Sequence, residues 1–188
     1  MTALERLRNP RFAARAGEGL ERLALKEWPC LSRLNRWGQF RTLQHLFRAI
    51  SRLGDGVFWY ALMTVLLLAD GTDALPAVTH MILAGLAGTL IYKWLKEAIH
   101  RPRPYHTLPN ILCLTAPLDR FSFPSGHTLH AVVFGLVATA YYPVLAWLVF
   151  PFAALVAISR LILGLHYPSD VIAGGLIGGI IAAFSLMI

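Results

Sequence analysis

The sequence predicts an all-α integral membrane protein: a helical bundle of about five transmembrane helices plus an N-terminal amphipathic interfacial helix. Three observations carry that prediction. The 188 residues are 56% hydrophobic and only 14% charged, with a mean hydropathy of +0.57, whereas an ordinary globular domain is about a quarter charged. The apolar residues are unevenly placed, so that between residues 128 and 188 the only Asp, Glu, Lys or Arg side chains are Arg160 and Asp170. Uncharged stretches of about 18 residues or more are candidate membrane spans. Finally, the net charge of +7 is concentrated at the start, where residues 1–56 carry eleven Lys and Arg against five Asp and Glu.

Residues 1–52 form a basic amphipathic segment and residues 53–188 a membrane-embedded core. In the first, Leu31, Leu34, Trp37, Leu43, Leu46, Phe47 and Ile50 recur at helical spacing, with Arg33, Arg36, Arg41, Arg48 and Arg52 between them. That pattern suits a helix in the membrane interface or one packed on a polar face of the same chain. A basic segment beside apolar spans points to anionic headgroups, and nothing resembles a nucleic-acid module. Glu5, Arg6, Arg8, Arg11 and Arg15 leave no apolar run for a secretory signal, so none is expected. Cys30 and Cys113 are too few to define a disulfide framework.

The first span covers about residues 53–69 and contains Asp55. Asp70-Gly71-Thr72-Asp73 turns the chain into a second, about 75–95, that continues as helix toward His100. A loop over residues 101–124, with five prolines, leads to a third span at about 126–142. Tyr141-Tyr142-Pro143 turns into a fourth, 144–165, and the fifth runs from about 171 onward. Gly174-Gly175 and Gly178-Gly179 in the fifth are overlapping small-xxx-small patterns, read as helix packing within the chain.

Charges at membrane depth are costly and tend to mark function, and here they cluster at span ends. The second span ends at Lys96, His100 and Arg103, and the third begins at Ser125-Gly126-His127. The fourth ends near Ser159-Arg160, and His166 and Asp170 lead into the fifth. Because consecutive spans alternate in direction, all four ends lie on one membrane face. Lys96, Arg103 and Arg160 can surround an oxyanion bearing more than one charge, which suits phosphate. Pro124-Ser125-Gly126 opens a helix whose free N–H groups add to that site, and the glycine permits close approach. One neutral imidazole can attack phosphorus while another protonates the departing oxygen. Asp170, four residues after His166, can fix its tautomer. Carboxylates are too scarce for a magnesium cage, and no cofactor is expected. Lys93 and Arg101 read as snorkelling anchors, His80 and His130 as packing residues, and His100 and His106 as residues that could line the site.

Three elements of this chain resemble those of the type 2 phosphatidic acid phosphatase superfamily. The first is Lys96 followed, after six residues, by Arg103-Pro104. The second is Pro124-Ser125-Gly126-His127. The third is Ser159-Arg160, five residues, His166, three residues, and Asp170. The resemblance covers about residues 53–188 and implies an all-helical core and a metal-independent phosphohistidine mechanism. By carry-over, His166 is the nucleophile and Asp170 its orienting partner. His127 is the general acid and later the base for water, and Lys96, Arg103, Arg160, Ser125 and the Gly126 backbone hold the phosphate. The layout resembles the small bacterial undecaprenyl pyrophosphate phosphatases, which puts that lipid first and glycerophospholipid phosphates next. It also implies a cell-membrane site facing the exterior. Five spans then put the basic N-terminal segment outside as well, against the positive-inside tendency. A phosphotransferase using the same histidine and a non-catalytic lipid transporter are the alternatives; membrane spans argue against a vanadate-dependent haloperoxidase.

Overall fold

The computed structural model describes residues 10–188, with side chains from residue 19 onward. The expected lack of a secretory signal rests on side chains outside the described residues. Every regular element among the described residues is helical.

The amphipathic N-terminal segment is two helices, not one. Helix α1 (Pro10–Trp37) and α2 (Arg41–Arg52) meet at Gly38. A Cβ there would lie 2.5 Å from Leu114 Cδ1 and 2.8 Å from the Ile162 carbonyl oxygen, so close packing demands glycine at the break. Ala24, Leu31 and Ile50 are buried, while Arg33, Arg36, Arg41 and Arg52 face outward. Leu31 packs with Leu108, Ile111 and Tyr167, so α1 lies on the face where the span ends gather. Asn35 pins it there. Its side-chain amide donates to the carbonyls of Leu112 (2.9 Å) and Ile162 (3.0 Å), and its Oδ1 accepts the Leu112 N–H.

The span predicted over 53–69 starts later than expected. Residues Leu53–Val57 form a π-helical turn, and helix α3 runs Phe58–Asp70. Gly56 in this turn has φ = 127°, a value that an L side chain avoids. The turn presents Asp55. A 3₁₀ turn, Gly71–Ala74, joins α3 to α4 (Leu75–Ile99). The proline-rich loop contains one short turn of helix, α5 (Pro104–Thr107). Then come α6 (Gly126–Tyr141), a 3₁₀ turn at Pro143–Leu145, α7 (Ala146–Ile162) and α8 (Pro168–Ser185).

Helix α6 is the central element, packing against α4, α7 and α8. Leu129, Ala131, Val133, Val137 and Ala138 are fully buried, and a helix apolar around its circumference belongs inside. Around it, Val65, Leu68, Leu83, Leu90, Trp147, Leu176 and Ile180 are exposed, a surface suited to hydrocarbon and not to water. Three stretches, Arg41–Thr107, Pro143–Ile162 and Pro168–Ser185, are long and apolar enough to cross a membrane. The chain is a multi-pass membrane protein.

Gly174 and Gly178, one from each glycine pair on α8, serve contact within the chain. A Cβ at Gly174 would lie 2.5 Å from the Ser125 carbonyl oxygen, and one at Gly178 would lie 2.6 Å from that of Leu129. Gly179 meets nothing within 4 Å. Gly178→Ala is therefore expected to lower stability by about 1–3 kcal/mol, the usual cost of overpacking. Gly179→Ala should leave it unchanged or raised, since alanine is the better helix former. Thermal unfolding of the two variants in one detergent checks the contrast; equal effects would mean that α6 and α8 do not approach this closely.

Candidate active site

The charged span ends converge as the topology requires. Lys96 occupies the last turn of α4, Arg103 precedes α5, Gly126 and His127 open α6, Arg160 ends α7, and His166 lies in the α7–α8 turn. These six line one cavity of about 600 Å³. Ser125 and Asp170 are fully buried and are not among its lining residues. Ser125 caps the wall: its Oγ lies 3.0 Å from Thr128 Oγ1, and its N–H donates to the Asp170 carbonyl oxygen at 3.0 Å. That last bond ties the opening of α6 to the first turn of α8.

The α7–α8 turn is shaped by backbone. Gly164 has φ = 73°, and a Cβ there would collide with the Leu112 carbonyl oxygen. The N–H groups of Leu165 and His166 then donate back to the Arg160 carbonyl, turning the His166 imidazole toward the three cations. His166 is 2% exposed. Burial, together with Arg160, Arg103 and Lys96, holds it well below the ordinary imidazole pKa of 6.5, so it is neutral. A neutral imidazole keeps a free lone pair, so chemically it can act as a nucleophile toward an anion held by those cations.

The expected His166–Asp170 hydrogen bond needs correction. His166 Nδ1 stands 3.6 Å from Asp170 Oδ2 and has no hydrogen-bond partner, beyond the range of a bond. Both carboxylate oxygens already accept elsewhere. Oδ1 takes the Arg101 guanidinium at 2.6 Å, and Oδ2 takes the Tyr167 N–H at 2.9 Å, closing the N-terminal box of α8. Catalytic contacts of this kind are often long without substrate.

The structure also moves residues that sequence reasoning misplaced. Arg101 is not a snorkelling anchor: it is 2% exposed and ion-paired with both Asp170 and Glu27. Asp119 bridges two of the cavity's cations, with Oδ1 3.0 Å from Lys96 Nζ and 2.8 Å from Arg103 Nη2. Asp55 Oδ1 lies 3.6 Å from His127 Nε2. Ser51, on α2, accepts from Arg160 Nη1. None carries a local sequence signal, since each acts across a gap of more than 15 residues. His100 and His106 line a separate cleft with Phe121 and not the cavity of His127 and His166. His130, expected only to pack, also lines that cavity, and its ring is held within 3.1 Å of the Gly85 and Gly126 carbonyl oxygens and Thr89 Oγ1. His80 pairs with Tyr141, away from the cavity. Lys93 remains exposed at its rim.

Away from the charges, the cavity is lined by Tyr60 and Met63 of α3, Ile82 and Leu86 of α4, and Phe134 of α6. The charged end thus continues into an apolar groove lined by three helices. Among the described residues, no three His, Cys, Asp or Glu side chains are grouped to hold a metal ion.

The sequence profile of the PAP2 superfamily matches residues 74–188, which include all three elements. The chain belongs to the PAP2 superfamily. This PAP2 protein is 30% identical over 162 residues to an undecaprenyl-diphosphatase of Sulfolobus acidocaldarius, covering 84% of this chain and 76% of that protein. It is 38% identical over 135 residues to a decaprenylphosphoryl-5-phosphoribose phosphatase of Mycolicibacterium smegmatis, covering 68% of each. Among solved structures, LpxE of Aquifex aeolicus superposes with a TM-score of 0.74 at 28% identity, over 86% of this chain and 95% of that one. The PAP2 chain described here is a membrane lipid phosphatase.

Proposed function

We propose that the enzyme removes phosphate from a polyprenyl lipid, undecaprenyl pyrophosphate first, through a phosphohistidine on His166. The observation that supports this most is the one cavity in which Lys96, Arg103, Arg160, His127 and His166 adjoin an apolar groove. Phosphate sits among Lys96, Arg103 and Arg160, with the Gly126 end of α6 contributing N–H groups that have no helical partner. Because His166 Nδ1 faces Asp170, Nε2 attacks phosphorus in line with the leaving oxygen. His127 gives that oxygen a proton, then takes one from the water that cleaves the phosphorus–nitrogen bond. Two relatives named for polyprenyl substrates support the lipid class; phosphatidylglycerophosphate and phosphatidic acid come next.

We read α3, α4, α6, α7 and α8 as five membrane spans, with the site on the exterior face of the cell membrane. Helix α1 packs on that same face through Leu31 and Asn35, so the basic segment and the site share a side. Cys30 and Cys113 are exposed free thiols, on α1 and in the loop beside it. A membrane-impermeant maleimide should label them in intact cells; labelling only after lysis would reverse the orientation.

The substrate test is phosphate release by the purified chain in detergent with EDTA. The panel holds undecaprenyl pyrophosphate, phosphatidylglycerophosphate, phosphatidic acid and lipid A, with His166→Ala as control. Fastest release from a polyprenyl phosphate supports the reading, and preference for a glycerophospholipid overturns the ranking. Transfer of labelled phosphate to a lipid acceptor instead of water would make it a phosphotransferase.

Asp119 predicts a second behaviour. Its carboxylate pairs with both Lys96 and Arg103, and its side chain is 39% exposed, so an entering phosphate competes with it. Asp119→Asn keeps the acceptor oxygen and removes the charge. Inorganic phosphate is expected to inhibit this variant several-fold more tightly; unchanged or weaker inhibition would mean that Asp119 does not compete for the anion site.

A further inference from the structure

Arg101 lies two residues before Arg103, yet it is absent from the cavity lining that holds Lys96, Arg103 and Arg160. Its guanidinium is enclosed behind the nucleophile. Nη1 donates to Asp170 Oδ1 at 2.6 Å and to Ser169 Oγ at 2.7 Å, and Nη2 donates to Glu27 Oε2 at 3.2 Å. Its Cζ stacks 3.8 Å above the Tyr167 ring. Glu27 belongs to α1, outside the segment that the superfamily profile matches. Its Oε1 accepts the Ser169 N–H at 2.6 Å, one of the free donors in the first turn of α8, and its Oε2 accepts from Ser169 Oγ at 3.0 Å. Glu27, Arg101 and Asp170 have side chains 11%, 2% and 0% exposed.

We propose that Glu27 and Arg101 are a positioning couple that sets the orientation and effective charge of Asp170 behind His166, so that α1 is a working part of the site. The proposal rests on the reading of His166 as nucleophile. A carboxylate supports positive charge on a neighbouring imidazole in proportion to the charge left after its other partners are served. Asp170 has one oxygen on Arg101 and one on a backbone N–H, and Glu27 decides how much of the Arg101 charge Asp170 must satisfy. In a buried setting such charges act strongly on one another. Without the Glu27 charge, Arg101 draws wholly on Asp170, and His166 accepts positive charge less readily. Without the Arg101 charge, Asp170 turns to His166, which accepts it more readily. The other charged groups and histidines around His166 are Lys96, Arg103, Asp119, His127 and Arg160, which neither change touches; Tyr167, whose ring Arg101 stacks on, is common to both.

The test compares Glu27→Gln, Glu27→Asp and Arg101→Gln with wild type in the full-length purified chain. The substrate is the lipid phosphate turned over fastest in the panel above. The expected result for Glu27→Gln is a kcat lower by about 10–100-fold, the usual range for outer partners of a site, at nearly unchanged KM. The acid limb of its kcat/KM profile moves to lower pH, and that of Arg101→Gln moves to higher pH. Glu27→Asp, which keeps the charge, restores the wild-type limb. Should Arg101→Gln not fold, Arg101→Lys replaces it, with lower kcat, unchanged KM and an unmoved limb expected. Unmoved acid limbs in Glu27→Gln and Arg101→Gln, or a loss confined to KM, would overturn the couple. Full activity in His166→Ala would instead remove the mechanism beneath it, and the two failures are separate readouts.

Discussion

Phosphate release is expected to fall to background in His166→Ala, whichever lipid phosphate is supplied. The side chain is buried in the α7–α8 turn, and alanine leaves the backbone bonds that shape the turn intact, so the variant should fold. Water cannot replace it efficiently, because the covalent route splits the transfer into two steps that each need the imidazole. The pH profile follows from the same environment. With its pKa held below 6.5 by burial and the three cations, free His166 stays unprotonated through neutrality. The rate is lost only as pH falls through that depressed value. The acid limb of kcat/KM, which reports the free enzyme, should therefore lie below 6.5. A limb at or above 6.5 would contradict the burial argument, and a near-normal rate in folded His166→Ala would sink the mechanism.

His127→Ala is expected to slow turnover of lipid phosphates by about 10²–10⁴-fold, the span usual for a general acid–base group. The side chain opens α6 at the cavity wall, with Asp55 Oδ1 3.6 Å from Nε2 as a carboxylate partner for its charged form. The loss should depend on the leaving group. A lipid alkoxide needs a proton to depart, whereas an aryl phosphate bearing nitro groups does not, so its first step should be slowed far less. The second step still lacks its base. A labelled phosphoenzyme, stable in alkali and labile in acid, is then expected to accumulate on the aryl substrate. Equal losses on both substrates, with no phosphoenzyme, would assign His127 to binding and not to proton transfer.

Much of the site was legible because the chemistry requires particular residue types at particular span ends. Lys96, Arg103, Gly126, His127, Arg160 and His166 could be grouped by the alternation of spans alone, and the cavity brings those six together. Helix ends near Ile99, Gly126 and Pro168 also fell close to expectation, since charge and proline punctuate the apolar runs there. What escaped was pairwise and long-range. Arg101 looked like any arginine at a span end, because its partners Glu27 and Asp170 are 74 and 69 residues away. Asp119 and Asp55 looked like loop charges, because nothing in a sequence says which cation a carboxylate will face. The π-helical turn at Leu53–Val57 passed as the start of a span because the apolar run from Phe58 follows it without a break. Gly38 broke one amphipathic helix into two for a reason visible only in three dimensions: the closeness of Leu114 and Ile162.

The contact of Gly174 and Gly178 with the α6 backbone, together with the Ser125–Asp170 bond, has an evolutionary reading. It welds the reactive end of the molecule to the α6–α8 pair, while Tyr60, Met63, Ile82 and Leu86, which flank the apolar groove, belong to α3 and α4. Most of the groove's apolar lining thus sits outside that pair, although Lys96 of α4 reaches the charged end and Phe134 of α6 reaches the groove. A lineage built this way can vary the α3 and mid-α4 lining by drift while the α6–α8 weld is inherited unaltered.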